Sequence, residues 1–165
     1  MTAQKMGENV PRRTMNYQTL IIKESRVKGS EFVLDDVKGI NVLDEFESWA
    51  NGLASDHFKD SAKKSYGTKP TVERRNRLVI LTMRTGHYGS EGDWVVNTRT
   101  HQKEYSTQDH DAQTIETRCA LLVPPNSKLG LFFVEKQGHE GCGGRIAESF
   151  HAHLKGLAGK KLNAG

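Results

Sequence analysis

The stretch RLVILTMRT, residues 77–85, decides the fold of this 165-residue chain. Its centre, Leu78–Leu81, is apolar without alternation, a pattern typical of a strand that is covered on both faces. The polar residues that follow end the apolar run after strand length rather than helix length. The stretch is therefore predicted to be a central strand of a sheet.

Three further strands are predicted on the carboxyl side of this one. Gly86–Gly92 has three glycines in seven residues and is read as a hairpin connection into a strand at Asp93–Arg99. Thr114–Val123 alternates apolar and polar residues, and Leu129–Lys136 resumes after a proline-containing turn. Four consecutive strands joined in this way predict an antiparallel meander, and Asn16–Glu24 is a candidate fifth strand.

Two amphipathic helices complete the predicted fold. Asn41 can cap a helix whose apolar residues repeat at helical spacing between Val42 and Leu53. A second helix is predicted to begin at Arg145 and to be ended by Gly156 and Gly159. The expected class is α+β, an antiparallel sheet of four to five strands (a meander) with both helices packed on it.

Length and composition favour a single soluble domain. Hydrophobic residues make up 35% of the chain and charged residues 27%, which is polar but within the globular range. Residues 1–14 are expected to be a flexible leader, residues 15–158 the domain, and residues 159–165 a tail or linker. The N-terminus has no apolar segment typical of a secretory signal, so a cytoplasmic location is expected, with two reduced thiols.

Charge is distributed in blocks along the chain. Residues 31–60 hold two basic and eight acidic side chains, whereas residues 61–84 hold seven basic and one acidic. Clustered Lys and Arg neutralise phosphates, and an interleaved tyrosine can stack on a base. The segment therefore predicts a site for nucleic acid or another polyanion, formed by Lys63, Lys64, Tyr66, Lys69, Arg74, Arg75, Arg77 and Arg84. The alternative is a solvated basic loop paired with the acidic helix at 44–47.

A glycine-rich loop, Gly138–Gly144, precedes the second helix. Backbone amides at a helix N-terminus can bind an anion, so Gly143, Gly144 and Arg145 are predicted to form a second anion contact. Neither the phosphate-loop pattern nor the dinucleotide fingerprint is matched there. The alternative is a flexible connector whose glycines adopt positive φ.

Catalytic and metal-binding patterns are weak. His110 lies between Asp109 and Asp111, but adjacent residues do not simply converge on one ion. Cys119 alternates with apolar residues and is read as core, whereas Cys142 in the glycine loop is expected to be more exposed, with a thiol pKa lowered by the helix N-terminus. No cofactor and no metal site are expected, and an enzyme is less expected than a binding protein.

Three functions are compatible with these features of the sequence. The first is a non-catalytic module that binds nucleic acid or another polyanion through the basic segment and the glycine loop. The second is a protein-interaction subunit, a homo-oligomer or a domain of a larger assembly. The third is a small metal-dependent hydrolase or nuclease using Asp109, His110, Asp111 or His139. Convergence of the basic side chains on one surface favours the first, and their pairing within the chain disfavours it.

Overall fold

A computed structural model describes residues 12–24, 29–90 and 92–162 of the chain. The predicted leader lies outside the described residues except for residues 12–14, and the last three residues of the predicted tail also lie outside them. The elements in chain order are β1 (Arg13–Leu20), α1 (Val42–Gly52), β2 (Ser65–Gly67), β3 (Thr71–Arg75), β4 (Leu78–Tyr88), β5 (Trp94–Asn97), β6 (Gln102–Ser106), β7 (Ala112–Leu122), β8 (Gly130–Gln137) and α2 (Gly143–Leu162).

The main sheet confirms the predicted α+β fold with antiparallel strands. Its order is β1-β8-β7-β4, and both β2 and β3 pair with the remaining edge of β4. All of these pairings are antiparallel. The described sheet thus has six strands, with β4 in the interior as predicted.

The predicted four-strand meander is not confirmed. β4, β7 and β8 are neighbours, but β5 pairs with β6 in a separate two-stranded sheet. The reason lies in the long ladder between β4 and β7, which extends from Leu78 opposite Leu122 to Tyr88 opposite Ala112. In a meander, β5 would pair with β4 along the edge that β7 occupies. The other edge of β4 pairs with β2 and β3, so the β5–β6 hairpin lies outside the main sheet.

The polar segment between Phe58 and Thr71, which has the composition of a loop leading into the sheet, contains the short strand β2 and leads directly into β3. β2 is only three residues long, and β3 has the polar sequence TVERR, in which Val72 and Arg74 point inward. Short edge strands of this kind have little apolar periodicity. Their sequences therefore resemble loops.

Helix α1 is positioned as predicted. The Asn41 side chain accepts hydrogen bonds from the backbone amides of Leu43 and Asp44, both at 3.1 Å. The helix buries Phe46 and Trp49, and the ring centroids of Phe46 and Phe150 lie 4.9 Å apart. The aromatic contact joins α1 to α2.

Helix α2 begins two residues earlier than predicted, and the prediction that Gly156 and Gly159 end it was wrong. The helix continues to Leu162, into the residues predicted to form a tail. A glycine in an exposed helix costs only about 1 kcal/mol relative to alanine. Gly156 is exposed, with open space around it, and the helix tolerates it.

Both helices cover the same face of the main sheet. Alternate residues of β4 and β7, including Val79, Leu81 and Leu121, are fully buried beneath them. Among the described residues, no helix combines the length and apolarity that crossing a membrane requires. The core is thus a two-layer arrangement of helices on a sheet.

The second face of the sheet is different. Leu78 and Ile80 project to this face and are only half-buried. The sequence pattern predicted that this strand is covered on both faces. Within the part of the chain that the structure describes, the helices cover one face only.

Candidate binding surfaces

Two rows of apolar side chains cross the uncovered side of the sheet. Residues directly opposite each other in an antiparallel pair project to the same side. The register therefore aligns Tyr17, Phe133, Ala120 and Ile80 in one row. Leu131, Leu122 and Leu78 follow in the next row. We call the following residues the open face: Met15, Tyr17, Leu78, Ile80, Ala120, Leu122, Leu131 and Phe133.

The open face is most exposed at β1. The side chains of Met15 and Tyr17 are 68% and 70% exposed, while the other members are half-buried. Its members lie on four strands, β1, β8, β7 and β4. At about 4.8 Å spacing these strands extend about 14 Å across the sheet. With the width of the side chains, the footprint is on the order of 300 Å², a size at which apolar patches on monomers are often functional.

The charged side chains around the open face are paired with one another. Arg13 Nη1 lies 2.8 Å from Glu135 Oε1, and the Arg75 guanidinium lies 2.6 Å from a Glu73 carboxylate oxygen. At the far end of β4, Arg84 lies 3.7 Å from Glu116. Each of these three arginines lies beside a glutamate. The exposed Arg118 of β7, opposite Thr82, adds one positive charge to the surface.

Arg74, one of the predicted polyanion contacts, is held by helix α1. Its guanidinium donates to Glu47 at 2.7 Å and to Asp44 at 3.0 Å. Its Nε donates to the carbonyl oxygen of Asn76 at 2.7 Å. All three guanidinium nitrogens have partners within the chain. For Arg74, this is the pairing with the acidic helix that the alternative interpretation of the basic segment predicts.

Arg77 is held by a second set of internal partners. It donates to the carbonyl oxygen of Val123 at 2.7 Å, to that of Pro124 at 3.2 Å, and to the Asp35 carboxylate. The hydrogen bond from Arg77 lowers the pKa of Asp35, and a backbone hydrogen bond from Asn126 lowers it further. Arg77 thus joins the segment before α1 to the β7–β8 turn.

The remaining predicted cations are spread over different parts of the surface. Arg75 and Arg84 lie among the pairs around the open face. Lys69 Nζ donates to the carbonyl oxygen of Asn51 at 2.7 Å, near the end of α1. Lys64 Nζ lies 3.2 Å from Asp109 Oδ1, and Tyr66 is half-buried in β2. These side chains do not form one basic surface.

Lys63 and Arg145, from the two predicted segments, lie on the same cleft. They line a cleft of about 650 Å³ between the 57–65 loop and the first turns of α2. Arg145 Nη1 donates to the carbonyl oxygen of Phe58 at 3.3 Å, which fixes its position on the wall. The charged groups of this cleft are Lys59, Lys63, Arg145, Asp60 and Glu148. Three cations against two carboxylates make it weakly basic.

The glycines before α2 have different roles. A Cβ at Gly143 would lie 2.3 Å from a methyl carbon of Val134, so glycine allows α2 to pack closely on β8. Gly144 is exposed, with open space around it. Within the predicted loop only Gly138 has a positive φ, of 62°. Close packing, rather than backbone flexibility, accounts for Gly143.

The thiols lie together in the core. Cys119 is buried as predicted, but the expectation that Cys142 is exposed was wrong, since none of its surface is accessible. The hydrogen bond between the two side chains lowers the pKa of Cys142 and raises that of Cys119. The Cys142 amide also donates to Thr117 Oγ1 at 3.0 Å. These contacts tie the start of α2 to β7.

The predicted acid–base and metal candidates do not converge. Asp109 is paired with Lys64, and Asp111 accepts a hydrogen bond from the amide of Gln108 at 2.9 Å. His110 and His139 are exposed. In the described ranges, no three side chains of the His, Cys, Asp or Glu type are grouped as metal ligands.

Comparison of the chain with protein-family models found no match, and searches of curated proteins and of solved structures found no significant match. The functional proposal therefore depends on the geometry of the chain itself. Sequence reasoning missed Asp35, Met15 and Tyr17. The signal for the open face was nevertheless present, because both faces of β4 carry apolar residues.

Proposed function

We propose that this protein is an interaction subunit that associates with a second copy of itself through the open face. The observation that carries the proposal is the pair of apolar rows, with Tyr17 70% exposed at one end. Burial of apolar surface stabilises association by roughly 25 cal/mol per Å² before the entropic cost of binding. A sheet with one solvated face ordinarily carries polar residues on that face.

Charge favours a second copy as the occupant. The arginines and glutamates around the open face are nearly equal in number and already paired, as in Arg13–Glu135 and Arg84–Glu116. Such a surface neither repels a copy of itself nor complements a highly charged partner. A two-fold axis would bring identical patches together, because an isologous interface must be self-complementary.

The expected assembly is a sandwich of two sheets. Sheets pack face to face about 10 Å apart, with their strands rotated by about 30° because each sheet is twisted. The helices of each copy then lie on the outside. This arrangement gives β4 the second covered face that its apolar sequence predicts.

Sedimentation velocity of the full chain over a range of concentrations tests this proposal. The wild-type protein is expected to dimerise, and Tyr17→Glu is expected to weaken the dimer. Loss of one aromatic contact in the interface costs about 2 kcal/mol, or roughly 30-fold in Kd, and a two-fold symmetric dimer loses two such contacts.

The matched control is Tyr105→Glu. Tyr105 is 54% exposed on β6, in the separate hairpin, so the same change removes an exposed tyrosine away from the open face. This variant is expected to dimerise like the wild type. A wild-type protein that is monomeric at every concentration, or a dimer insensitive to Tyr17→Glu, contradicts the proposal.

A second candidate function is polyanion binding at the basic cleft. The observation in its favour is that Lys63 and Arg145, from separate segments, line the same cleft with Lys59. Two phosphate contacts on a single strand predict a salt slope of about −1.4. Polyanion binding at this cleft is a secondary function beside self-association, because most of the predicted arginines already have partners within the chain and are not available to a polyanion.

Fluorescence anisotropy with a labelled single-stranded oligonucleotide tests this second function. The double variant Lys63→Glu/Arg145→Glu is expected to abolish salt-sensitive binding. The control is Arg99→Glu/Lys128→Glu, which makes the same change in net charge at two exposed positions outside the cleft. If both double variants lose the same oligonucleotide affinity, the binding depends on net charge alone and the cleft is not a specific binding site.

A further inference from the structure

The basic cleft contains a pair of side chains that polyanion binding does not require. His57 Nε2 lies 2.7 Å from Ser149 Oγ, and both residues line the cleft. A serine hydroxyl within about 2.6–3.2 Å of an imidazole nitrogen is the arrangement in which histidine removes the proton and serine attacks as a nucleophile. Among the residues that the structure describes, no other serine or threonine hydroxyl is hydrogen-bonded to a histidine.

Ser149 is held in place by helix α2. The neighbouring side chains of Ile146 and Phe150 are buried in the core, so this part of the helix is fixed against the sheet. A serine within a helix often turns its hydroxyl back to the carbonyl oxygen of residue i−4. The Ser149 hydroxyl is hydrogen-bonded to His57 instead, and its side chain is half-buried. The hydroxyl is therefore directed to the cleft.

His57 is held in place by the loop between α1 and β2. Its backbone amide donates to the carbonyl oxygen of Ala54 at 3.2 Å. Its ring packs edge-on against the buried ring of Phe58, with the centroids 4.7 Å apart. Further along the loop, the Asp60 and Ser65 backbones exchange two hydrogen bonds, of 2.9 and 3.0 Å. The imidazole and the hydroxyl thus meet from two fixed elements, which reduces the ordering needed before a reaction.

Arg145 supplies a positive charge on the same wall of the cleft. It precedes Ser149 by four residues in α2, so the two side chains project from the same side of the helix. Its Nη1 donates to the carbonyl oxygen of Phe58, the residue directly after His57. In the described part of the chain, its other guanidinium nitrogens have no hydrogen-bond partner. These N–H groups are free to stabilise an oxyanion that forms when the serine attacks a carbonyl carbon.

We infer that the basic cleft hydrolyses small carboxylic esters, with Ser149 as the nucleophile and His57 as the general base. Ser149 Oγ bonds to the carbonyl carbon while its proton passes to His57 Nε2. The bond to the alcohol then breaks, the alcohol leaves with that proton, and an acyl-serine remains. Water attacks the acyl-serine with His57 again as the base, which releases the carboxylic acid and restores the serine.

The substrate class follows from the size of the cleft and the chemistry of the pair. A volume of about 650 Å³ suits a small molecule. An ester needs no metal ion for this reaction, because the hydroxyl, the imidazole and the guanidinium supply the nucleophile, the base and the charge. The activity is independent of the open face and of polyanion binding, since it requires neither a second copy nor a charged ligand.

Labelling of the full chain with a fluorophosphonate, followed by mass spectrometry, tests this inference. The serine oxygen bonds to phosphorus and fluoride leaves, so the label marks an activated serine. We expect the label on Ser149, and saturable hydrolysis of 4-nitrophenyl butyrate that Ser149→Ala abolishes. His57→Gln keeps a side chain that can hydrogen-bond to Ser149 but cannot take its proton. It is expected to lower both rates at least about 100-fold, because a general base contributes about 10²–10⁴-fold.

Two control variants match these changes. Ser61→Ala removes an exposed serine that lines the same cleft, and His139→Gln removes an exposed histidine outside it. Both are expected to react like the wild type, and the Tm of every variant is expected to stay close to that of the wild type. Absence of the label from Ser149 in the wild type, hydrolysis that persists in Ser149→Ala, or equal labelling rates for the wild type and His57→Gln overturns the inference.

Discussion

Replacing Arg77 by methionine tests whether the basic segment stabilises the fold rather than serving as a polyanion site. Methionine keeps much of the length of the side chain but removes every hydrogen bond of the guanidinium. The lost partners are the carbonyl oxygens of Val123 and Pro124 and the carboxylate of Asp35. Asp35 retains its hydrogen bond from the amide of Asn126 at 2.7 Å.

The magnitude follows from the number and exposure of these contacts. Hydrogen bonds to charged groups contribute about 1.5–3 kcal/mol each. The Arg77 side chain is 25% exposed and the Asp35 side chain 23% exposed. Because solvent screens partly exposed charges, each hydrogen bond here contributes less than this range. Methionine also recovers some apolar packing. We expect a loss of about 3 kcal/mol in the free energy of unfolding, which is a decrease in Tm of about 6–12 °C.

Urea and thermal unfolding followed by circular dichroism measure this loss. Both must be done at one protein concentration, because association adds to the apparent stability. Arg75→Met is the matched control, since the Arg75–Glu73 pair is exposed, at 67% and 55%, and exposed pairs contribute little to stability. Equal stabilities of the Arg77→Met and Arg75→Met variants would show that the contacts of Arg77 do not stabilise the fold.

Three other outcomes follow from the packing and electrostatics. The lowered pKa of Asp35 stabilises the fold above its ordinary pKa, and this contribution is lost as the pH falls through the lower folded value. Stability measured between pH 5 and pH 2 should therefore fall more steeply for the wild type than for Asp35→Asn. Gly143→Ala should destabilise the protein by about 1–3 kcal/mol in urea unfolding, because its Cβ meets Val134, whereas Gly144→Ala should not destabilise it. Cys142 is buried, and alkylation followed by mass spectrometry should be slow until denaturant is added.

The local parts of the fold were predictable from the sequence. The cap at Asn41 and the apolar stripe of α1 are encoded within a few residues, and the structure confirms both. The apolar run at Leu78–Leu81 correctly indicated an interior strand. The β5–β6 hairpin was not placed correctly, because its position depends on the ladder between β4 and β7, which pairs residues far apart in the chain.

The candidate site was less predictable for the same reason. A run of basic residues shows where charge lies along the chain but not which partner neutralises it. Arg74 meets Glu47, 27 residues earlier, and Arg77 meets Asp35, 42 residues earlier. Only the fold brings these groups together. The open face was encoded more directly, since β4 carries apolar residues on both faces and the described helices cover one of them.

Isotope-filtered nuclear Overhauser spectroscopy shows directly whether two copies of the chain meet through the open face. A sample containing equal amounts of ¹³C-labelled and unlabelled chain gives filtered signals only between protons of different copies. Association through the open face predicts such signals from the rings of Tyr17 and Phe133 and from the methyl group of Met15. A monomer without intermolecular signals at high concentration, or signals confined to residues outside the open face, would contradict it.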